Sequence, residues 1–429
     1  MWLTAPWGLF AGLLLGGLLL TGCDGTPSSP ADAPASAGVV LPIPKAEPMV
    51  RVRLQRSITA SPPLAIGDSG QPLTINGGGT TSAWDGPVSV IRTAKGWIVG
   101  GRGGPLPAAA IASDTLDIHP EANVNMVLPG TDTSDRAYPG TMRLVQDDDE
   151  HGPAWLLLNV VRMEQYLPGV LQAELYAGWP EPTYQAQAIA ARSYATMQVL
   201  QRAKRTWDVT DTASTQAYMG VATDRAANWG AQSTRGQVLS WNDGLVPGYF
   251  CSCCGGLPAT GTEAVGPNPL NATAPLSGHG EPIKCASAPV YSWTRDVDAG
   301  ALTKALQAWG RFRQDAALTS IGPVDEIVLV NKNAHGRPTQ LRIIDRSGNA
   351  AHISTVDASS ALFDLDGGPP MSGWFSATRQ GQTLKLVGRG FGHGAGLCQY
   401  GAAAMGEAHA TMPGIIQFYY PGVTIRTAW

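Results

Sequence analysis

Between residues 49 and 152, apolar and polar positions alternate in short stretches. Val50-Arg51-Val52-Arg53-Leu54 sets the period, which returns around Val88 to Val99, Leu116 to Leu128 and Thr141 to Val145, with Gly, Pro and Asp between. A period of two broken by turn residues predicts strands at meander spacing. The pattern changes at Leu156. Leu156 to Val161 is a continuous apolar run suited to a buried strand, and Met163 to about Leu175 follows with apolar residues three and four apart, which predicts a helix. A longer helix is predicted from about Glu181 to Arg205, with Pro180 and Pro182 suited to its first turn. Asp208 to Phe250 returns to short strands, Ala301 to Leu318 reads as helix, and strands resume over Asp325 to Ile353 and Thr383 to Val387. A glycine-rich loop and a final helix near Cys398 to Glu407 follow, and no repeat is visible at solenoid spacing. These elements predict an α+β fold. A β-rich part over 49–152 and a mixed helix and strand part over 153–429, with a strand-rich insertion around 320–387, would share one cleft.

The first residues add a location. Trp7 to Leu20 is an apolar run too short to span as a mature anchor and of the length of a signal-peptide hydrophobic region. It ends in Leu20-Thr21-Gly22-Cys23, which resembles a bacterial lipobox, although no Lys or Arg stands in the first ten residues. The expectation is a signal peptide over 1–22, a lipidated Cys23, and a tether to residue 48 whose Pro, Ala and Ser content cannot bury a core. That places the chain in the cell envelope, lipid-anchored to a membrane and facing the periplasm or wall. The formal net charge of -4 offers no basic surface to a polyphosphate, so no nucleic-acid partner is expected.

Chemistry enters with the first helix. Leu167, Val170, Leu171 and Glu174 fall on one face, so a carboxylate stands where a leucine would be expected. Removal from water disfavours the charged form and raises the pKa, which suits a general acid near neutral pH. The structural alternative is an ion pair, with Arg192 on the second helix as the candidate partner. Ordinary glycoside hydrolysis uses two carboxylates, and no second Asp or Glu has an equally marked setting.

Several separated motifs now coincide. Met163-Glu164-Gln165-Tyr166-Leu167-Pro168-Gly169-Val170, Ala173-Glu174, Trp179-Pro180 and Gln185 to Ala195 resemble the core signature of the sporulation stage II protein D and amidase-enhancer family. Asp211-Thr212, Ser214 to Tyr218, Gly255-Gly256, Gly392 to Ala402 and Tyr419-Tyr420-Pro421-Gly422 resemble it in the same order, so the likeness covers roughly residues 50 to 422. It implies a peptidoglycan lytic transglycosylase that cleaves between N-acetylmuramic acid and N-acetylglucosamine and leaves 1,6-anhydro ends, with Glu174 matching the catalytic glutamate. The sugar's own 6-hydroxyl is the nucleophile in that reaction, so one residue can act as acid and then as base. Other members are described as enhancers of wall amidases, which keeps open a non-catalytic glycan-binding role with an amidase partner.

A transition state of oxocarbenium character needs polar and planar neighbours around the sugar. The candidates are Arg192, Gln216, Tyr218, Ser252, His393, Gln399 and Tyr400, each with a packing role as its alternative. No cofactor is required for the chemistry. Cys251 and Cys254 have C-x-x-C spacing on a turn, and Cys285 or His279 would complete a tetrahedral zinc site, as some family members resemble this in binding zinc. A Cys254 to Cys285 disulfide is the competing reading in an exported compartment, and a zinc-dependent hydrolase of wall peptides is the least favoured function.

Overall fold

The computed structural model describes residues 40–55, 64–68, 70–93, 96–101, 109–121, 125–128, 136–149, 152–280 and 284–429. Cys23, the signal peptide and the tether up to residue 39 lie outside the described residues. The fold is α+β. The alternating stretch Met49–Leu54 turns Val50, Val52 and Leu54 inward and lies inside a seven-stranded sheet. It runs antiparallel to Gly152–Arg162, with Val50 opposite Val161 and Leu54 opposite Leu157, and parallel to Val209–Thr210. Beyond Gly152–Arg162 the sheet continues through Thr141–Asp149, Thr115–Pro120, Pro72–Gly77 and Thr80–Asp85. The stretch Val88 to Val99 is a hairpin of Val88–Thr93 with Gly96–Gly101 in a separate four-stranded sheet.

Helix α1 (Met163–Glu174) leaves that sheet without an intervening loop, and the Glu47 carboxylate caps it by accepting from the Glu164 N–H at 3.0 Å. Its buried stripe packs on Val50, Val52, Leu144 and Leu157, so the sheet and the helices after it share one core. A boundary at residue 152 thus runs along paired strands of a single sheet. Helix α2 (Glu181–Gln201) starts at Pro180, as its sequence predicts, and ends four residues before Arg205. Small side chains let α2 pass between two cores: Ala188, Ala191 and Ala195 face the first, while Ala186, Ile189 and Ala190 face the second.

Helix α3 (Arg225–Ser233) stands where only short strands were expected, capped by the Asp224 carboxylate on the Ala226 N–H at 2.8 Å. The predicted helix from Ala301 is α4 (Ala299–Arg313), which stops at Gln314 in the left-handed region, and a short separate turn covers Ala316–Ser320. Helix α4 packs on a six-stranded sheet that begins at Ser292 and closes with Thr383–Arg389, wider than the insertion expected around 320–387. That sheet has its own core, built on Leu302, Ile327, Ile343, Phe375 and Leu386. The chain ends in α5 (Gln399–Glu407), α6 (Met412–Tyr419) and the strand Thr424–Thr427. Among the described residues, no helix is long and apolar enough to cross a membrane.

Candidate active site

Glu174 is the last residue of α1 and prolongs the stripe of Leu167, Val170 and Leu171, which is fully buried, to a half-buried position. Gly169 permits the placement. A Cβ there would lie 2.1 Å from the Gly220 carbonyl oxygen and 2.7 Å from the Tyr218 ring, so only glycine lets α1 press against residues 216–220. The approach brings the Ala217 N–H to Glu174 Oε1 at 2.8 Å. From the opposite side Gln399, first residue of α5, donates its Nε2 to Glu174 Oε2 at 3.2 Å.

Burial raises the Glu174 pKa above its ordinary value, and the Ala217 N–H and the Gln399 amide oppose it only in part. Position at the negative end of the α1 dipole acts in the same direction as burial. Among the described residues Glu174 forms no ion pair, because Arg192 is engaged elsewhere. A proton donor held in this way has one oxygen on a backbone donor and the other on an amide that can yield to a ligand.

An aromatic group borders the carboxylate. Tyr176, two residues after Glu174, meets Trp179 at 5.3 Å and Tyr400 at 5.8 Å between ring centroids, and Trp179 meets Tyr400 edge-on at 5.2 Å. Tyr176 is 60% exposed, so the group offers an open apolar face beside the acid. Flat rings of this kind suit the faces of pyranose sugars.

The other sequence candidates divide. Arg192 is 0% exposed and binds Glu164 bidentately, Nε to Oε1 at 3.0 Å and Nη2 to Oε2 at 2.9 Å, and also donates to the Ala231 and Gln237 carbonyls. It is a buried structural cation and not a substrate ligand, and its carboxylate partner is Glu164 in place of Glu174. Gln216 is buried between the Tyr166 hydroxyl, from which it accepts at 3.1 Å, and the Ala191 carbonyl, to which it donates at 3.1 Å. Tyr218 is buried too, donating to Asn159 Oδ1 at 2.8 Å with its ring 4.8 Å from that of Tyr166. Both pack, and what their segment gives the site is the backbone N–H between them.

His393 accepts from the Ala395 N–H at 3.1 Å and bonds the Phe250 backbone. Burial, helped by the Arg337 guanidinium, lowers its pKa to about 4 against that bond, so it is neutral and holds a loop. Ser252 takes part through its carbonyl, which accepts from the Tyr400 N–H at 3.1 Å.

A family model described as Stage II sporulation protein matches residues 151–241, the segment that contains Glu174, Arg192 and Ala217. The Stage II sporulation protein D of Bacillus subtilis is 25% identical over 285 residues, 62% of this chain and 75% of that protein. Residues 151–241 thus carry a Stage II sporulation protein domain, and the chain is similar to both stage II sporulation protein D and the amidase enhancer. The amidase enhancer of Bacillus subtilis is 25% identical over 297 residues, 61% of this chain but 40% of the relative, so well under half of that protein has a counterpart here. An uncharacterized protein of Brachyspira hyodysenteriae is 25% identical over 295 residues, 67% of this chain and 72% of that protein. A second model, Domain of unknown function (DUF8618), matches residues 276–396, the part that carries the six-stranded sheet.

In this chain the cysteines assemble differently from their C-x-x-C spacing. The sulfurs of Cys253, Cys285 and Cys398 lie within 4.8 Å of one another, and Cys254 Sγ is 3.5 Å from Cys285 Sγ. Cys251 is outside this group, paired along the backbone with Cys398, and His279 stacks on Phe418 at 5.1 Å. Sequence reasoning thus missed Cys253 and Cys398 as members of the cluster, and Tyr176 and Trp179 as members of the site. Trp179 stood in a quoted motif, so a signal existed; Tyr176 had none beyond its nearness to Glu174.

Proposed function

We propose that this chain is a peptidoglycan lytic transglycosylase of the cell envelope, with Glu174 as its one acid/base residue. The observation that carries the reading is a half-buried carboxylate with a raised pKa, bound by two neutral donors and unpaired with any cation among the described residues. As the acid, Glu174 gives its proton to the oxygen that links N-acetylmuramic acid to N-acetylglucosamine, and the bond from that oxygen to the muramic C1 breaks. As the resulting carboxylate, it takes the proton of the muramic 6-hydroxyl while that oxygen bonds C1. The products are a 1,6-anhydro end and a free sugar hydroxyl, with no water consumed and the acid regenerated. Ala217 fixes the carboxylate, Gln399 yields or follows it, and the Tyr176, Trp179 and Tyr400 rings receive sugar faces.

The partners that follow are glycan strands, including strands stripped of peptide, reached from a membrane through a lipid on Cys23. Digestion of intact and peptide-stripped strands, read by mass spectrometry, tests the reaction class because hydrolysis adds water and transglycosylation does not. Glu174→Gln keeps the hydrogen-bonding shape without the proton and is expected to lower turnover by roughly a hundredfold or more. Reducing-end products would overturn the proposal. One relative's name, amidase enhancer, supports a second reading, a non-catalytic glycan binder that stimulates a wall amidase. Absence of cleavage, with stimulation of an added amidase that survives Glu174→Gln, would establish it instead.

A further inference from the structure

We infer that the six-stranded sheet carries a second ligand site, centred on Arg389, for a carboxylate borne on a small alkyl group. Strand Thr383–Arg389 turns Leu384, Leu386 and Gly388 inward and leaves Lys385, Val387 and Arg389 facing away from the core. Gly388 lets the sheet close tightly here: a Cβ would lie 2.2 Å from the Trp293 ring, whose indole donates to the Gly390 carbonyl at 2.9 Å. Next to it is a cavity of about 340 Å³, lined by Ser292, Leu329, Trp374, Val387, Gly388 and Arg389. Apart from the Ser292 hydroxyl and the Arg389 guanidinium its side chains are largely apolar. That is the make-up of a small-ligand site, in which a few polar groups orient an apolar body.

Strand register places the cation. Ser292 stands opposite Arg389 on one side, and on the other the Arg389 N–H donates to the Trp374 carbonyl at 2.9 Å, so the three form a row. The guanidinium lies over two rings, 5.2 Å from the centroid of Tyr291 and 5.6 Å from that of Trp374. Ring faces hold a cation but offer its N–H groups no ordinary acceptor. Arg295 and Arg379, on the same sheet, donate to backbone carbonyls. Among the described residues the Arg389 side chain has neither a carboxylate nor a carbonyl. Its planar fork is thus oriented with donors to spare, the geometry that takes a carboxylate bidentately. One cation with one hydroxyl matches a single negative charge, whereas a phosphate dianion calls for a second cation, and none lines the cavity among the described residues. Val387 is 49% exposed, so the apolar wall is open to a ligand.

The source of the carboxylate rests on the glycan reading proposed above. A peptidoglycan strand offers two: the lactyl carboxylate of a muramic acid whose peptide has been removed, and the terminal carboxylate of a peptide still attached. Both carry the anion on a small alkyl group, the chemistry this cavity fits. The chain runs from Arg389 through the glycine-rich loop to Gln399 at Glu174, and Phe391 within that loop exchanges both backbone hydrogen bonds with Cys253. A tied segment therefore joins cavity and acid, and Arg389 is a strand-binding residue with no part in proton transfer.

The test is calorimetric titration of the full folded chain with N-acetylmuramic acid, whose lactyl carboxylate is free, and with N-acetylmuramyl-alanine, whose carboxylate ends the peptide. Neither probe contains a bond between muramic acid and N-acetylglucosamine, so binding is read without turnover. At least one should bind, its methylamide should not, and Arg389→Gln should weaken it by roughly tenfold or more, the loss expected of a charge-assisted pair. Val387→Glu, at an exposed position, sets a negative charge in the same cavity and should weaken it likewise, so a misfolded Arg389→Gln leaves the question decidable. Tighter binding of the first probe assigns the site to stripped strands, and of the second to peptide-bearing ones. Binding of neither probe at up to about 10 mM, or equal binding by the parent and both variants, would overturn the inference. Glu174→Gln should leave these titrations unchanged while it stops cleavage, so the site and the proposed function fail independently.

Discussion

Replacing Glu164 by Gln keeps the outline of the side chain that holds Arg192 and removes its charge. Arg192 is wholly buried, and of its two hydrogen bonds to Glu164 the variant can keep at most one, because the amide nitrogen that replaces one carboxylate oxygen cannot accept. The same carboxylate oxygen, Oε1, also accepts from the Gly236 N–H at 3.1 Å and the Trp429 indole at 3.0 Å, so one amide cannot serve every donor. Breaking a buried pair from one side costs about 3–5 kcal/mol, because the surviving charge remains out of water. For a cooperative unit of 150–250 residues each kcal/mol moves Tm by about 2–4 °C, which gives a fall of roughly 6–20 °C. Thermal and urea unfolding measure it, with an unchanged urea m-value showing that stability alone has moved. Glycan KM of the folded variant should stay within about twofold of the parent, since uniform substrate binding is untouched. A variant that melts with the parent while its KM rises severalfold would refute the structural role of Arg192 and restore it as a substrate ligand.

Further outcomes concern the site and its anchor. Because the folded pKa of Glu174 is raised, the native state binds more protons than the unfolded chain between the unfolded value, about 4.3, and the folded one, so stability falls as pH rises through that window. Glu174→Gln removes the penalty, so it should melt above the parent at pH 7 and with it below about pH 4. Tyr176→Ala should leave Tm unchanged, since the side chain is exposed, and raise glycan KM roughly two- to twelvefold, the range expected of about 0.5–1.5 kcal/mol of ring contact. Tyr218→Phe strands the buried Asn159 oxygen and should cost about 1–3 kcal/mol in urea unfolding with kcat unaltered. Cys23→Ser should abolish lipid incorporation and release the chain from the membrane fraction; a mature N-terminus at Met1 would contradict the lipoprotein expectation.

How much of this could be read from the sequence depended on the range of the contacts. Leu167, Val170 and Leu171 announced α1 and its buried face because helix periodicity is local, and Pro180 marked the start of α2 for the same reason. Helix α3 escaped because its nine residues hold Asn, Gly and Gln and its buried face is only Ala227, Gly230 and Ala231, too small to stand out as a stripe, with the single cap Asp224 as the other signal. In α4 the break at Gln314 depends on one left-handed residue that is not glycine, a choice no pattern announces. Gln216 and Tyr218 looked like groove-lining side chains since alternation says which residues share a face but not which face meets solvent. The cysteines failed similarly. Sequence spacing joined Cys251 with Cys254, whereas the cluster is set by Phe391 and the start of α5, more than a hundred residues away.

The shared core of the seven-stranded sheet and α1 separates two notions of a module. The stretch matched by the family model starts at residue 151, yet the strand it starts with is sandwiched between Met49–Leu54 and Thr141–Asp149, and the helix ending in Glu174 rests on side chains from both sides of that line. A fragment cut there would carry every group proposed to handle the proton and would still expose two unpaired edges of its first long strand, an invitation to self-association. The stretch that the family model matches is here smaller than what can fold as a unit. Grafting this acid/base helix into another scaffold would therefore mean transplanting the meander with it.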